Sequence, residues 1–234
     1  MNDDSISLNK FISSTGMCSR READRMIESG RVLLNQKTAK KGNRVLPGDE
    51  VIVDGSKIKN KRRNDIYLAF NKPPGITCTT DLSDRDNIID YINYPKRIFP
   101  IGRLDKPSTG LILLTNDGDI VNQILREENN HDKEYIVTID RPVTPQFIKR
   151  MSGGIPMLGE VTKKCQVKKL GSHRFSIILT QGLNRQIRRM CEYLDTRVVT
   201  LKRIRIMNIH IDHLPVGSHR HLTKVELAEL RKQL

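Results

Sequence analysis

The sequence contains no tryptophan, and aromatic side chains make up only 4% of its 234 residues. Ligand recognition that depends on large aromatic stacking surfaces is therefore not expected. The longest apolar runs, such as Leu111–Leu114, are far too short to cross a bilayer. The first ten residues carry acidic side chains where a secretory signal has positive charge and then an apolar stretch. We therefore expect a soluble, cytoplasmic protein.

Cysteine and histidine are also sparse. The four cysteines lie far apart and form no C-x-x-C pair, which argues against disulfides and against a thiolate zinc site. His210 and His213 would point to opposite faces of a strand. His219 and His221 would share a face, but no third ligand lies nearby in sequence. Since the chain also lacks a P-loop and a G-x-G-x-x-G segment, we predict no metal, nucleotide or redox cofactor.

Basic residues, in contrast, are abundant. Lysine and arginine number 41 against 27 aspartate and glutamate residues, so the formal net charge is +14. Residues 1–63 carry 14 basic and 8 acidic side chains, and residues 183–205 carry 7 and 2. Two separate basic regions fit an extended polyanion better than a small ligand, so a nucleic acid is the favoured partner.

The N-terminal segment has the pattern of a small α/β module. The predicted elements are helices over Leu8–Thr15 and from Ser19 to Gly30, and strands at Val32–Asn35 and Glu50–Val53. Residues 57–64 are polar and basic and lack periodicity, which is typical of a linker. The sequence therefore predicts an N-terminal domain over residues 1–56, a linker over 57–64 and a second domain over 65–234.

Three arginines crowd the first turns of the helix that begins at Ser19. Cations at a helix N-terminus oppose the helix dipole, whereas phosphate groups are favoured there. An ordinary solvated face explains one such arginine easily and three less well. We therefore predict that Arg20, Arg21 and Arg25 contact a polyanion.

The second domain alternates strand-like runs with helices. The predicted strands are Tyr67–Phe70, Ile98–Ile101, Leu111–Thr115, Glu134–Ile139, Phe175–Thr180 and Arg203–Ile211. Helices are predicted to begin near Asn87, Asp119, Thr144, Asn184 and Thr223. Because strands outnumber helices and the connections are irregular, the pattern predicts an α+β fold with a mixed, largely antiparallel sheet and flanking helices.

The run Gly102–Gly110 (GRLDKPSTG) places one carboxylate, Asp105, between two apolar strands. Loops at strand ends hold reactive groups in place while leaving them accessible. This stretch alone would fit an aspartate in a polar turn better than a catalytic group.

A second stretch, Gly182–Met190 (GLNRQIRRM), packs three arginines around apolar residues. If this stretch is helical from Asn184, then Arg185, Arg188 and Arg189 share one face. Such a face would bind phosphate, or would pair with a carboxylate and favour its charged form.

Together with Asn71–Gly75 (NKPPG) and Lys133–Tyr135 (KEY), these motifs resemble the ribosomal-RNA pseudouridine synthases of the RsuA-like group. Within that group the chain resembles most the RluF type, which modifies large-subunit RNA. The N-terminal module is similar to the alpha-L RNA-binding domain of such enzymes. The resemblance covers roughly residues 6–230, and four motifs in the same order make it specific. It implies a monomer that acts on ribosomal RNA, with pre-ribosomal particles or a tRNA as alternative substrates.

The resemblance also implies roles for individual residues. Asp105 matches the catalytic aspartate, and Tyr135 matches the tyrosine that stacks on the target base. Arg188 matches the arginine that pairs with the aspartate, and Arg185 is the second candidate for that pairing. The predicted RNA contacts are Lys10, Arg20, Arg21, Arg25, Lys72, Arg103, Arg185 and Arg189.

The implied reaction breaks the N1–C1′ bond of uridine, turns the uracil and rejoins it through C5, which requires no cofactor. An ionised carboxylate would attack C1′ or the base, or would take a proton from C2′ to give a glycal. A purely RNA-binding or ribosome-assembly protein would leave the motifs around Asp105, Tyr135 and Arg188 without a role. An RNA methyltransferase would need a glycine-rich loop after a strand, which the sequence lacks.

Overall fold

The computed structural model describes residues 4–59 and 65–234, and the chain divides into two units, Met1–Asp65 and Ile66–Leu234. The helices are α1 (Leu8–Ser14), α2 (Arg20–Glu28), α3 (Ile88–Ile92), α4 (Gly118–Leu125), α5 (Pro145–Ser152), α6 (Gln186–Tyr193) and α7 (Lys224–Lys232). The first strands are β1 (Ile6–Ser7), β2 (Val32–Leu34), β3 (Lys37–Thr38), β4 (Arg44–Val45), β5 (Val51–Val53), β6 (Ser56–Ile58), β7 (Tyr67–Lys72), β8 (Phe99–Ile101) and β9 (Thr109–Thr115). The remaining strands are β10 (Lys133–Ile139), β11 (Pro156–Met157), β12 (Glu160–Val161), β13 (Gln166–Lys169), β14 (Arg174–Leu179), β15 (Val198–Ile206), β16 (Ile209–His210) and β17 (His219–His221).

The first unit packs α1 and α2 against short antiparallel strands, with a four-stranded sheet in the order β3-β2-β5-β6 and a separate β1–β4 pair. The Ser19 hydroxyl accepts a hydrogen bond from the Glu22 backbone N–H at 3.1 Å and so caps α2. The Glu22 carboxylate pairs with Arg25 at 3.1 Å. Fully buried aliphatic residues, including Leu8, Ile12 and Val32, form the core of this unit.

The predicted linker differs from the structure at its start. Lys57 and Ile58 belong to β6, where they pair with Ile52 and Val51 of β5. This pairing gives the backbone of the two residues hydrogen-bond partners that a flexible linker would not have. Residues 60–64 of the predicted linker lie outside the described residues.

The second unit is built on a nine-stranded sheet with the central order β13-β14-β10-β15-β9-β7-β17, to which β8 and β16 are added. Among the strands described, β15 and β9 form the one parallel pair, and the other pairs are antiparallel. The predicted α+β class with a mixed, largely antiparallel sheet is therefore confirmed.

Helices cover the sheet in separate places. Helices α5 and α6 pack Phe147, Met151 and Met190 onto Phe175 and Ile177 of β14. Helices α4 and α7 cover β7, β9 and the end of β15 with a second apolar cluster. Helix α3 packs against β7 and β9 in a third cluster. The sheet is thus the common wall of three cores.

Gly110 allows the parallel contact between β9 and β15. It has φ +104° and pairs with Arg203, and a Cβ atom at this position would lie 2.2 Å from the Arg203 carbonyl oxygen. No larger residue fits there without moving one of the strands. The glycine therefore fixes how closely the two strands approach beside the GRLD loop.

Helix starts match the predictions at most sites, because the N-cap side chains Asn87, Asp117, Thr144 and Thr223 each accept a backbone N–H. The predicted strand Arg203–Ile211 is wrong. The structure instead has β15 ending at Ile206, a turn with Met207 at φ 51°, and the short strand β16. The polar strands β13 and β17 and the β11–β12 hairpin were not predicted, because their sequences have weak apolar alternation.

Candidate active site

Asp105 lies in the loop that joins β8 to β9. Gly102 begins the loop with φ +76°, and a hydrogen bond from the Ser108 N–H to the Asp105 carbonyl at 2.9 Å closes a turn after the carboxylate. The side chain of Asp105 is 33% exposed. Strand β8, before the loop, pairs with β9, and β9, after the loop, also pairs with β7. A rigid frame therefore presents a partly exposed carboxylate.

Lys72, at the end of β7, supports this loop from inside the protein. Its ammonium donates to the carbonyl oxygens of Pro73 at 2.9 Å, Ile76 at 2.8 Å and Lys106 at 3.2 Å. Burial lowers the pKa of the Lys72 ammonium, and the nearby Asp105 acts in the opposite direction. Lys72 has 0% relative exposure. The prediction that Lys72 contacts RNA is therefore wrong, since the side chain links the NKPPG and GRLD loops instead.

Two arginines approach Asp105 from the start of α6. Arg185 Nη1 lies 3.5 Å from Asp105 Oδ2, and Arg188 Nε lies 3.4 Å from the same oxygen. Only the Arg185 contact has hydrogen-bond geometry, and both distances exceed the ~2.7–2.9 Å of a charge-assisted hydrogen bond. Asp105 Oδ1 accepts no hydrogen bond from the residues that the structure describes. This oxygen is therefore available to another group.

The three arginines of this segment do not share one helix face. Helix α6 begins at Gln186, and Arg185 is its N-cap residue with φ 51°. Arg189 turns back to Asn184, with Nε 3.1 Å from the carbonyl oxygen and Nη2 3.2 Å from Oδ1 of the side chain. The prediction of a common face is wrong, because the left-handed residue at position 185 shifts the start of the helix.

Ser108 fixes the more buried of the two arginines. Arg188 Nη2 donates to Ser108 Oγ at 3.2 Å, and Ser108 itself is only 1% exposed. Arg188 Nη1 also lies 3.5 Å from the Val198 carbonyl oxygen. A hydroxyl three residues after Asp105 thus orients a guanidinium toward the carboxylate, a role that the sequence did not indicate.

Tyr135 and Arg203 form the wall beside Asp105. The two residues are cross-strand partners in β10 and β15, and the Arg203 guanidinium carbon lies 6.0 Å from the centre of the Tyr135 ring. Arg203 Nε donates to the Leu111 carbonyl at 2.7 Å, while Nη2 is buried without a partner among the described residues. Sequence reasoning missed Arg203. Its only signal was its place in the basic stretch 183–205.

These groups line an open cleft of roughly 800 Å³. Asp105, Tyr135, Arg185 and Arg203 contribute to its walls, together with the exposed Arg103 of the GRLD motif. The thiol of Cys78 also lies on this cleft, and burial raises its pKa. The structure therefore brings Asp105, Tyr135, Arg103, Arg185 and Arg188 together, as expected for a single site.

The predicted RNA contacts of the first unit lie on α1 and α2. Arg20, Arg21 and Arg25 are exposed, whereas Lys10 is half-buried. Arg20 Nη2 lies 3.4 Å from Asn9 Oδ1, and Arg25 pairs with Glu22. Arg21 has no ion-pair partner within residues 4–59 and 65–234. Their predicted contact with RNA remains a prediction.

Over the described residues, no three histidine, cysteine, aspartate or glutamate side chains converge in the manner of a metal site. Within the same residues, no helix has both the length and the apolar composition needed to span a membrane.

Comparison with known proteins supplies the family. The model of the RNA pseudouridylate synthase family matches residues 66–193, and the S4 domain model matches residues 7–51. The dual-specificity RNA pseudouridine synthase RluF of Escherichia coli strain K12 is 56% identical over 98% of this chain and 80% of the relative. The ribosomal large subunit pseudouridine synthase B of Bacillus subtilis strain 168 is 32% identical over 96% of this chain and 95% of the relative.

A crystal structure of a pseudouridylate synthase has a TM-score of 0.70 to this chain, with 29% identity, and the match covers 96% of this chain and 99% of that one. The matched family region includes Asp105, Tyr135 and both arginines that approach the carboxylate. The chain therefore belongs to the RNA pseudouridylate synthase family, and it is an RNA pseudouridine synthase with an N-terminal S4 domain.

Proposed function

We propose that this RNA pseudouridine synthase modifies a uridine in structured large-subunit ribosomal RNA, and that Asp105 is its catalytic group. The name of the B. subtilis relative supports the choice of large-subunit RNA. The dual specificity in the name of the E. coli relative supports testing a tRNA beside it. A substrate of this kind is consistent with a monomer that works in the cytoplasm.

The observation that carries the assignment is the environment of the Asp105 carboxylate. Oδ2 faces two guanidinium groups at 3.4 and 3.5 Å, whereas Oδ1 accepts no hydrogen bond from the described residues. Two guanidinium groups thus lie against Oδ2, and Oδ1 is free to act on the substrate.

The open cleft accepts a nucleotide only after it has left its stack, which costs a few kcal/mol. Contacts between cationic side chains and the RNA backbone offset that cost. Arg103, which is exposed at the cleft beside Asp105, is suited to such a contact. Tyr135, from the cleft wall, would stack its ring on the uracil and position the ribose next to Asp105.

With the ribose in place, the Asp105 carboxylate either attacks carbon or removes the proton from C2′, and the N1–C1′ bond breaks. The uracil turns within the cleft and rejoins through C5, and this step either releases Asp105 from the carbon that it attacked or returns the proton to C2′. The C5 proton is then lost to solvent, and N1 gains one. Arg188 and Arg185 stabilise the carboxylate throughout, because each lies within ion-pair distance of Oδ2.

In this proposal, the N-terminal domain, which β6 extends to Ile58, binds RNA, and residues 65–234 form the catalytic domain. The S4 match and the exposed Arg20, Arg21 and Arg25 support an RNA contact by the N-terminal domain. That domain would hold structured RNA by its phosphates while the catalytic domain engages the target uridine.

The test is the variant Asp105→Asn, which keeps the shape of the side chain and removes its charge and basicity. We expect it to bind RNA like the wild type and to release no tritium from ribosomal RNA labelled at uracil C5. Asp84→Asn, which changes another carboxylate on the same cleft, is the matched control and should remain active. Near-normal tritium release by Asp105→Asn would remove this residue from the mechanism.

The choice of RNA is tested separately. Pseudouridines are mapped in ribosomal RNA and tRNA from cells with and without the gene. Loss of a site in large-subunit RNA supports the proposed substrate. If the only sites lost lie in small-subunit RNA or in tRNA, that part of the proposal is wrong.

A further inference from the structure

Over strands β13, β14, β10 and part of β15, the helices leave one face of the central sheet open. Along β14, the residues Phe175, Ile177 and Leu179 are buried, whereas the alternate residues between them are not. The same alternation runs along β10, where Val137 and Ile139 are buried. Successive side chains of a strand point to opposite faces, so one face forms the core and the other meets solvent.

We call this surface the open face. It carries residues 134, 136, 138, 166, 168, 174, 176, 178, 200 and 202, together with Arg205. Strand pairing places them side by side, since Lys168 pairs with Ser176, Glu134 with Ile178, and Ile136 with Lys202. None of these positions is buried. Ile136 and Ile178 belong to none of the apolar clusters described for the chain.

The active-site cleft uses the opposite face of the same strands. Tyr135 pairs with Arg203, and both residues line the cleft. Their chain neighbours Glu134, Ile136 and Lys202 must therefore point away from the cleft. A ligand on the open face does not compete with a nucleotide beside Asp105.

The open face is positively charged. It carries Lys168, Arg174, Lys202 and Arg205 against the single acid Glu134, so its formal charge is 4 − 1 = +3. Arg205 pairs with Glu134 at 2.9 Å, which leaves the other three cations without ion-pair partners within the described part of the chain. Unneutralised cations on adjacent strands repel one another.

The sequence around these strands strengthens the pattern. Residues 161–191 contain 8 lysines and arginines and no aspartate or glutamate. This stretch includes β13, β14 and the arginines that approach Asp105. Protection of the sheet edge against aggregation explains lysines on the edge strand β13. It does not explain Arg174 and Lys202, which lie on interior strands.

We propose that the open face is a second RNA-binding surface, which holds the phosphate backbone of a part of the RNA outside the active-site cleft. The inference rests on the action of this enzyme on RNA. A polyanion supplies the missing counter-charges for Lys168, Arg174 and Lys202. The open-face positions hold no aromatic side chain, so the surface binds phosphates and RNA shape and does not read bases.

The two RNA sites are connected around the edge of the sheet. Strand β13 is the outer strand on this side, and its exposed Lys169 points opposite to Lys168. Lys164 precedes the strand and is also exposed. An RNA that passes this edge would meet lysines on both faces, so one folded RNA reaches the cleft and the open face together.

The test is the pair of substitutions Lys168→Gln and Arg174→Gln in the full chain, with Lys224→Gln and Lys232→Gln as the control. Both double variants lose two positive charges, but the control residues lie on α7, outside the open face. Binding to a transcript that spans a whole domain of large-subunit ribosomal RNA is measured over a range of salt concentrations. Thermal unfolding checks that each variant folds.

We expect the slope of log affinity on log salt to fall by about 1.4 to 1.8 for the open-face variant, since each lost phosphate contact removes about 0.7 to 0.9. The control variant should keep the wild-type slope. Equal salt-dependence slopes for all three proteins overturn the proposal. The partner of the open face would then be an acidic protein. An equal fall in both variants also overturns it, because net charge would then be the cause. Tritium release by the same variants reports the isomerase activity independently, so the proposed function is not at stake in this binding test.

Discussion

Arg185 and Arg188 approach the same oxygen of Asp105 at nearly the same distance, and the substitutions Arg185→Gln and Arg188→Gln decide which pairing matters. Distance cannot rank them, because the contacts differ by only 0.1 Å, at 3.5 and 3.4 Å. Exposure does rank the two arginines, because the side chain of Arg188 is 12% exposed and that of Arg185 is 44% exposed. We therefore expect Arg188→Gln to be the more damaging change.

Coulomb's law gives the scale of the difference. A pair at 3.4 Å interacts with about 5 kcal/mol at an effective dielectric constant of about 20, whereas a pair at 3.5 Å in water interacts with about 1 kcal/mol. The environment of Arg188 is closer to the lower dielectric constant, and that of Arg185 is closer to water. Desolvation of this partly buried pair offsets part of the larger value, so about 3 kcal/mol remains as the expected loss for Arg188→Gln. That corresponds to a rate reduced roughly a hundredfold, against about fivefold for Arg185→Gln.

The assay is single-turnover tritium release at saturating enzyme, so that binding defects do not enter the rate. Arg189→Gln is the matched control, because Arg189 bonds to Asn184 and does not touch the carboxylate. Equal losses for Arg185→Gln and Arg188→Gln would contradict the argument from burial. A larger loss for Arg185→Gln would show that the contact with hydrogen-bond geometry is the important one.

Two further changes test the frame around the site, and a third tests an ion pair elsewhere in the second unit. Ser108→Ala removes the hydroxyl that accepts from Arg188 at 3.2 Å, and we expect the single-turnover rate to fall about tenfold with unchanged RNA affinity; an unchanged rate would contradict a positioning role. Gly110→Ala places a Cβ 2.2 Å from the Arg203 carbonyl, so denaturant unfolding should show a loss of at least about 3 kcal/mol, and a loss below about 1 kcal/mol would be inconsistent with this contact. Glu226 is paired with Arg220, which lowers the pKa of its carboxyl from 4.5 to about 2. Its stabilisation is therefore present above pH 4.5 and is lost as the pH falls toward 2. Relative to wild type, Glu226→Gln should cost on the order of 2–3 kcal/mol at pH 7 and progressively less below pH 4.5, and a constant difference across this range would refute the assignment.

Much of the fold could be predicted because strong local signals agreed with the tertiary structure. The N-caps at Asn87, Thr144 and Thr223 start helices where the sequence placed them. The apolar runs Tyr67–Phe70 and Leu111–Thr115 became central strands that are buried on both faces. The polar strands β13 and β17 escaped prediction because they lie at the two ends of the sheet, where hydrogen bonding to a neighbour suffices without apolar alternation.

The motifs of the site could be predicted from the sequence, but the residues that hold them in place could not. Asp105 and its arginines stand out as residue types in a loop and a basic stretch, and the structure brings them together. Lys72 looked like an RNA contact, because no local signal distinguishes a buried lysine from an exposed one when its partners are backbone carbonyls. The partners of Ser108 and Arg203 likewise depend on strand register, which a single sequence does not specify.

The supports explain how one carboxylate is held in position and still free to react. Lys72 ties the loop from below through the Lys106 carbonyl, and Ser108 fixes Arg188 beside the carboxylate. The Lys72 bond acts on the backbone and the Ser108 bond on Arg188, so neither occupies Oδ1. In a site built in this way, the side chains are ordered during folding, so their ordering adds no free-energy cost to the reaction. The reacting oxygen needs no rearrangement when a ribose binds. Loosening any support should therefore slow the chemical step before it weakens RNA binding, which depends on cations spread over the rest of the surface.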